Sequence, residues 1–290
     1  MKLSVFTVAT PEMDPVQLAA AAKKAGLHGI EWRYTETSAE AKSQEPSFWG
    51  NNRCTIAPSG GEAELERFKD AARLHGLSTV SVTPYLRTGD LEATEKVLQA
   101  ARYMGASCIR LGVPGYDRSK SFDELFELGR SYLKDAENLC RKYGVKGLIE
   151  IHHGTIGASA SGARRLVEGL DPEFIGVLFD PGNSVHEGFE NYRMSLELLG
   201  PYLAHVHVKN AGWGVKGKAE DGSLIWHSEW AGLKDGMVPW RQVIDDLIAV
   251  GYDGYLGVED FSKQFADSEA MLNHFVEYIG GLLEELQPDV

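Results

Sequence analysis

Short apolar runs alternate with amphipathic stretches from one end of the chain to the other. Leu3–Val8, Gly29–Tyr34, Ser78–Thr83 and Ser107–Gly112 read as strands, as do the apolar parts of Val145–Gly154, Ile175–Asn183, Leu203–Asn210 and Tyr255–Asp260. The stretches between them carry helix punctuation. Asp14-Pro15 starts a helix that Gly26 stops, Glu62–His75 is closed by Gly76, and Asp90 caps a helix running to Met104 and Gly105. Ser121-Phe-Asp-Glu124 is a capping box opening a long helix to Tyr143, ended by Gly144. Further helices are predicted near Ser161–Glu168, Tyr192–Leu199, Pro239–Val250, and from about Ser268 to Leu286.

Eight short strands separated by helices require parallel crossovers. They close most simply as a (β/α)8 TIM barrel, an α/β fold in which residues 1–290 form a single domain. A doubly wound open sheet is the competitor, but it usually carries a glycine-rich turn after its first strand, and Ala9-Thr-Pro-Glu-Met offers none. Two connections exceed the usual few residues: Thr35–Gly61, and Asn210–Val238 with Trp213, Trp226, His227 and Trp230. Both follow strand C-termini, where barrel active sites lie, and are expected to be loops acting as lids.

Composition narrows the function. The 290 residues are 43% hydrophobic and 24% charged, which is ordinary for a globular chain. A net charge of −13 argues against a nucleic-acid partner. Cys54, Cys108 and Cys140 form no CxxC pair and read as reduced thiols. Met1–Thr10 reads as a strand rather than a leader, and no apolar run reaches the roughly 20 residues of a membrane span. A cytoplasmic protein is the expectation.

The chemistry gathers at the ends of strands five to eight. Alternation puts Leu148, Glu150 and His152 on one face and Ile149 and Ile151 on the other. Glu150, Asp180, His207 and Glu259 then occupy equivalent positions on neighbouring staves and converge. Carboxylates this close raise one another's pKa, and a divalent cation resolves the conflict. Three oxygen donors and one nitrogen suit Mn²⁺ or Mg²⁺, with Co²⁺ or Zn²⁺ as further options. His205 lies one layer deeper than His207 and is expected to be a packed core residue.

Phe-Asp-Pro-Gly-Asn at 179–183, His-Val-His-Val-Lys-Asn at 205–210, Gly-Tyr-Asp-Gly-Tyr-Leu-Gly-Val-Glu at 251–259 and the strand-five glutamate resemble the xylose-isomerase-like TIM-barrel superfamily. This sugar phosphate isomerase/epimerase group includes ketose 3-epimerases, hydroxypyruvate isomerase, inosose dehydratase and endonuclease IV. The resemblance implies that His207, the second histidine of its pair, is the ligand, and that Glu150 and Glu259 double as proton-transfer groups. A metal chelating a carbonyl and the neighbouring hydroxyl would stabilise an enediolate. The expected function is therefore a divalent-metal-dependent isomerase or epimerase of a sugar, keto-sugar or polyol.

The alternative on the same scaffold is a lyase with His152 as base; His152 can equally be a residue that hydrogen-bonds a ligand. Lys209, Arg110, His186 and Trp213 are candidate substrate contacts. Lys209 can instead form an ion pair at the barrel mouth; Glu31 and Arg33, sharing a face of strand two, and Arg110, inside strand four, leave an internal ion pair or polar contacts to substrate both open. His153 is expected to face away from the pocket unless its strand has already ended. Gly154–Ser159 is read as a capped turn rather than a phosphate cradle. An apurinic endonuclease fits poorly with the acidic balance, and a non-catalytic barrel fits poorly with an intact ligand set. A homo-oligomer or a partner subunit is compatible with the sequence.

Overall fold

A computed structural model describes residues 1–286. Among them, eight parallel strands close on themselves: β1 (Lys2–Phe6), β2 (Gly29–Tyr34), β3 (Ser78–Thr83), β4 (Cys108–Arg110), β5 (Lys146–Glu150), β6 (Ile175–Phe179), β7 (Leu203–Val208) and β8 (Tyr255–Val258). Each stave pairs with the next, and β1 pairs with both β2 and β8. That double pairing of β1 excludes the open sheet. Helices coat the outside, and the main core lies between them and outward-facing residues such as Ile30, Trp32, Ile149, Ile151, Val206 and Val258. Inside the barrel, Cys108, Leu148 and Leu178 form a small apolar layer. Polar side chains stack above it toward the strand C-termini. No described helix is long and apolar enough to cross a membrane.

The helix punctuation works as its chemistry demands. Asp14 accepts from the amides of Val16 and Gln17, and Ser121 and Glu124 form a reciprocal capping box on the helix Phe122–Tyr143. Gly26, Gly105 and Gly144 take the left-handed conformation at helix ends, which costs glycine little.

Three expectations need correction. Strand β4, Cys108–Arg110, is shorter than Ser107–Gly112; beyond it, at Gly112, the backbone passes against Leu86, where a Cβ would lie 2.5 Å from the carbonyl oxygen. The last helix is not uniform: Ser268–Phe275 passes through a π-helical turn, Val276–Gly280, before Gly281–Leu286.

The third correction concerns the long connections, which are not plain loops. Residues 35–61 contain a short helix, Ala39–Lys42, and a strand, Thr55–Ile56, that pairs with β2. Asn52 anchors the segment, donating to the carbonyls of Thr7 and Val8 and accepting from the amide of Cys54. Residues 210–238 carry an antiparallel hairpin, Asn210–Lys218 with Leu224–Ala231. Cross-strand pairs such as Val215 with Trp226 replace the local tryptophan packing of a loop.

Replacing Ser121 by alanine removes the hydroxyl that accepts from the amide of Glu124. The loss is expected to be about 1 kcal/mol, a melting-point drop of a few degrees, without effect on the strand ends. Thermal melts of Ser121→Ala beside the wild type measure it.

Candidate metal centre

The mouth of the barrel is built on the last residues of β5 to β8 and those just beyond. Here Glu150, Asp180, His207 and Glu259 each present one ligand atom within 4.8 Å of the others, and all four are buried. Nδ1 of His207 lies 3.6 Å from Oε1 of Glu150, 3.6 Å from Oδ2 of Asp180 and 3.6 Å from Oε2 of Glu259. Ligands held about 2.1 Å from a common ion stand roughly 3.0–3.6 Å apart. The separations therefore fit a single cation. His207 stacks on Phe6, with ring centroids 5.7 Å apart and planes at 17°.

Nδ1 of His207 is the most telling atom of the group. It is buried and finds no hydrogen-bond donor or acceptor among the described residues, whereas Nε2 lies 3.1 Å from Oε2 of Glu31. A buried polar atom without a partner needs an explanation. A cation among the three acidic oxygens provides one.

Charge makes the same case. Four buried carboxylates, those of Glu31, Glu150, Asp180 and Glu259, crowd the barrel interior. The permanent cations bonded to them are Arg110, 2.5 Å from Glu150, and Lys209, which bridges Asp180 at 2.8 Å and Glu259. The shortfall is what a divalent ion supplies. Burial pushes the Glu259 carboxyl up, and Glu150 and Asp180 add to the rise against Lys209 and His207. Burial acts on Glu150 in the same direction, but Arg110 and His207 outweigh it and hold that carboxyl well below the usual range. On His207 burial opposes charge, yet Glu31 and Glu259 outweigh it and raise the imidazole well above its ordinary value. The acids thus draw a proton to the ring when no other cation offsets them.

The motif Asp-Pro-Gly-Asn sets two of the ligands. Asp180 caps the short helix Pro181–His186, accepting from the amide of Asn183 at 2.8 Å. The Asn183 side-chain nitrogen donates to Asp180 Oδ2 at 2.9 Å and Glu150 Oε1 at 3.0 Å. Gly182 has to be glycine, since a Cβ there would come within 2.8 Å of the Lys209 side chain and 3.0 Å of its backbone.

Above the acids opens a cavity of about 540 Å³, lined by Glu150, Glu259, His152, His153, Lys209 and Arg110 among aromatic walls of Trp49, Tyr85, Trp230 and Phe261. Nδ1 of His152 sits 2.7 Å from the carbonyl oxygen of His153. A carbonyl can only accept, so Nδ1 carries the hydrogen and the neutral ring keeps a lone pair on Nε2. Strand β5 ends at Glu150, so alternation does not extend to His153, which lines the cavity instead of facing away. Its Nδ1 is 3.1 Å from the Asn183 side-chain oxygen, and burial, with His152 nearby, lowers its pKa.

Two candidate substrate contacts lie outside the residues lining the cavity. His186 stacks behind His153 at 4.7 Å and against Trp230 at 4.3 Å, and burial lowers it to about 4. Trp213 turns its indole to the carbonyl of Val185 at 2.6 Å and is 44% exposed, while Trp230, on the paired strand, faces inward. The register, Trp230 opposite Ala211 and Trp213 opposite Ser228, puts both tryptophans on one face of the hairpin, with Trp230 nearer its root over the cavity.

Glu31 and Arg33 do not pair. Glu31 bonds to His205, His207 and Thr83, while Arg33 donates to Tyr85, Thr55 and the carbonyl of Trp49. His205 is buried one layer down, as its position suggests. In the turn after β5, the amides of Gly154 and Ser161 already donate to Glu187 and Glu190, whose charges would repel a phosphate.

Comparison with known proteins agrees with this architecture. The family described as "Xylose isomerase-like TIM barrel" matches residues 19–279. An inosose dehydratase of Geobacillus thermodenitrificans is 26% identical over 217 residues, 66% of this chain and 72% of that protein. A second inosose dehydratase, from Bacillus licheniformis, is 29% identical over 150 residues, 48% of its length. In fold, the chain is similar to the 3-keto-D-glucoside 4-epimerase YcjR of E. coli, with a TM-score of 0.68, 17% identity and full coverage of both chains. It is also similar to the IOLI protein with a bound zinc atom, with a TM-score of 0.70, 16% identity and coverage of 97% and 99%.

A divalent ion bound to His207 has to displace the proton that the acids favour there. Affinity for Mn²⁺ is therefore expected to fall as pH is lowered, with protons released on binding. Calorimetric titration in buffers of differing ionisation enthalpy measures the release. Mn²⁺ should also raise the melting temperature of the wild type but leave Asp180→Ala and His207→Ala unmoved.

Proposed function

Because the chain belongs to the xylose isomerase-like TIM-barrel family, we propose that it is a divalent-metal-dependent enzyme that removes the proton beside the ketone of a sugar or polyol. The donor set, three carboxylate oxygens and one imidazole nitrogen, favours Mn²⁺. When bound, such an ion offsets the negative charge that develops on the substrate's oxygens as the proton leaves.

The observation that carries the reading furthest is the lone pair of His152. Its Nδ1 is committed to the carbonyl of His153, the ring lines the cavity, and Nε2 is the basic atom left to face a substrate. Glu150, by contrast, is held by Arg110 and Asn183, and its low pKa makes it a weak base. This favours elimination: His152 takes the proton from the carbon beside the ketone, and the hydroxyl on the next carbon departs. The imidazolium so formed hands that proton to the departing hydroxyl, which leaves as water, while Lys209, bound to Asp180 and Glu259, stays charged 4.9 Å from the centre of the Trp230 ring inside the cavity. A C–H and a C–O bond break, and a C=C bond forms.

The dehydratase relatives point the same way. Arg110 is occupied by Glu150 and the turn after β5 by carboxylates, so the substrate we infer is an unphosphorylated keto-polyol.

The second reading, epimerisation or isomerisation, rests on Glu259. It lines the same cavity as Glu150 and its carboxyl is raised, so the two glutamates could take and return a proton without loss of water.

Incubation with keto-inositols and keto-sugars in deuterated water separates the two readings. An unsaturated product supports elimination; an isomer carrying deuterium, with no water lost, supports the second. Replacing His152 by asparagine should lower turnover by about 10²–10⁴-fold while leaving Mn²⁺ affinity unchanged. An unaffected rate in that variant would remove the imidazole from the mechanism.

A further inference from the structure

We propose that Glu31 is a positioning residue for the metal centre, its carboxylate deciding which nitrogen His207 presents to the cation. This rests on the reading of Glu150, Asp180, His207 and Glu259 as ligands. Glu31 reaches the centre from β2, across the barrel from three of those groups, and is itself 1% exposed.

Its two oxygens are fully engaged. Oε2 lies 3.0 Å from Nε2 of His205 and 3.1 Å from Nε2 of His207, and Oε1 lies 2.6 Å from the Thr83 hydroxyl. An ionised carboxylate only accepts, so all three partners must donate. The Thr83 hydrogen being used on Glu31, the 2.9 Å contact between Ser81 and Thr83 must have Ser81 as donor. The chain of hydrogens therefore runs one way, from Ser81 through Thr83 to Glu31, and ends on an oxygen that also receives two imidazole hydrogens.

The consequence falls on His207. With the hydrogen on Nε2, the lone pair of the neutral ring is on Nδ1, the atom 3.6 Å from three acidic oxygens and without a partner among the described residues. The opposite tautomer would aim a hydrogen into the space the cation has to fill. Stacking on Phe6 fixes the plane of the ring. Glu31 fixes its electronic sense. Carboxylates that hold metal-bound histidines in this way strengthen metal affinity about 10–100-fold.

Glu31, His205 and His207 also lie close enough to be considered as ligands of an ion of their own. The hydrogen-bond distances, with both Nε2 atoms donating, account for the cluster without one.

Glu31→Gln tests the proposal because it keeps the shape. With the amide oxygen accepting from Thr83 as Oε1 does, the amide nitrogen stands where Oε2 stood and donates toward the imidazoles, so Nε2 of His207 must accept and its hydrogen moves to Nδ1. Co²⁺ titration followed by visible absorption reads affinity, stoichiometry and ligand geometry together, with no turnover needed. The expected result is one equivalent of Co²⁺ in both proteins, a dissociation constant raised about 10–100-fold in Glu31→Gln, and an altered absorption band. Thr83→Val, which frees one carboxylate oxygen but keeps the charge, should weaken binding by a smaller factor and serves if Glu31→Gln does not fold.

Equal affinity and an identical spectrum in folded Glu31→Gln would overturn the proposal alone. So would two equivalents in the wild type and one in the variant, since Glu31 would then be a ligand itself. Wild-type protein that takes up no Co²⁺ would overturn the ligand reading and this inference with it.

Discussion

Carboxylates brought out of water at one end of a barrel repel one another, and the organisation of this mouth follows from giving each of them a donor. Glu150, Asp180, Glu259 and Glu31 are each buried, and each is met by a particular donor: Arg110, Asn183, Lys209, and the histidine pair with Thr83. Few of these donors are spare surface charges. They are inward-facing residues of other staves, or residues just beyond them, so the closure of the barrel and the pairing of its buried charges depend on each other. Separating β4 from β5 would part Arg110 from Glu150 and leave a buried charge without its counter-ion, which is strongly destabilising.

Much of this could be read from the chain. The eight staves, the caps at Asp14, Asp90 and Ser121, and the four converging donors follow from period-two alternation and from helix punctuation, both local properties. What could not be read is what depends on partners distant in sequence. Glu31 and Arg33 share a face of β2, and proximity suggests a pair, yet each finds its partners on other segments, Glu31 on β3 and β7, Arg33 at Thr55, Tyr85 and Trp49. The hairpin was hidden because its strands are interrupted by glycines and carry little regular alternation: Gly212, Gly214 and Gly217 lie on one strand. Which tryptophan lines the cavity depends on how far each stands from the hairpin's root, and that distance is set by the pairing of Trp230 with Ala211.

Hydrogen-bond direction gives the site much of its specificity. Single acceptors, the carbonyl of His153, the side-chain oxygen of Asn183 and the carboxylate of Glu31, set the hydrogen positions of His152, His153 and His207. Three imidazoles within one mouth thus have assigned roles, although the ring atoms themselves are interchangeable. Asn183 is central, since its amide nitrogen serves two acids and its oxygen serves a histidine.

The hairpin that grows out of β7 has a mechanical side. Lys209 is the residue between stave and ribbon, Asn210 clamps the ribbon's root to the carbonyls of Leu233 and Val238, and Trp230 closes the returning strand against the cavity. The distal part, with Val215, Leu224 and Trp226, stands in solvent. The ribbon is also pinned beyond its root, where Trp213 donates to the carbonyl of Val185 and Ser228 meets the ring of His186. Ribbon and the helix Pro181–His186 therefore make one wall of the cavity, braced at two heights.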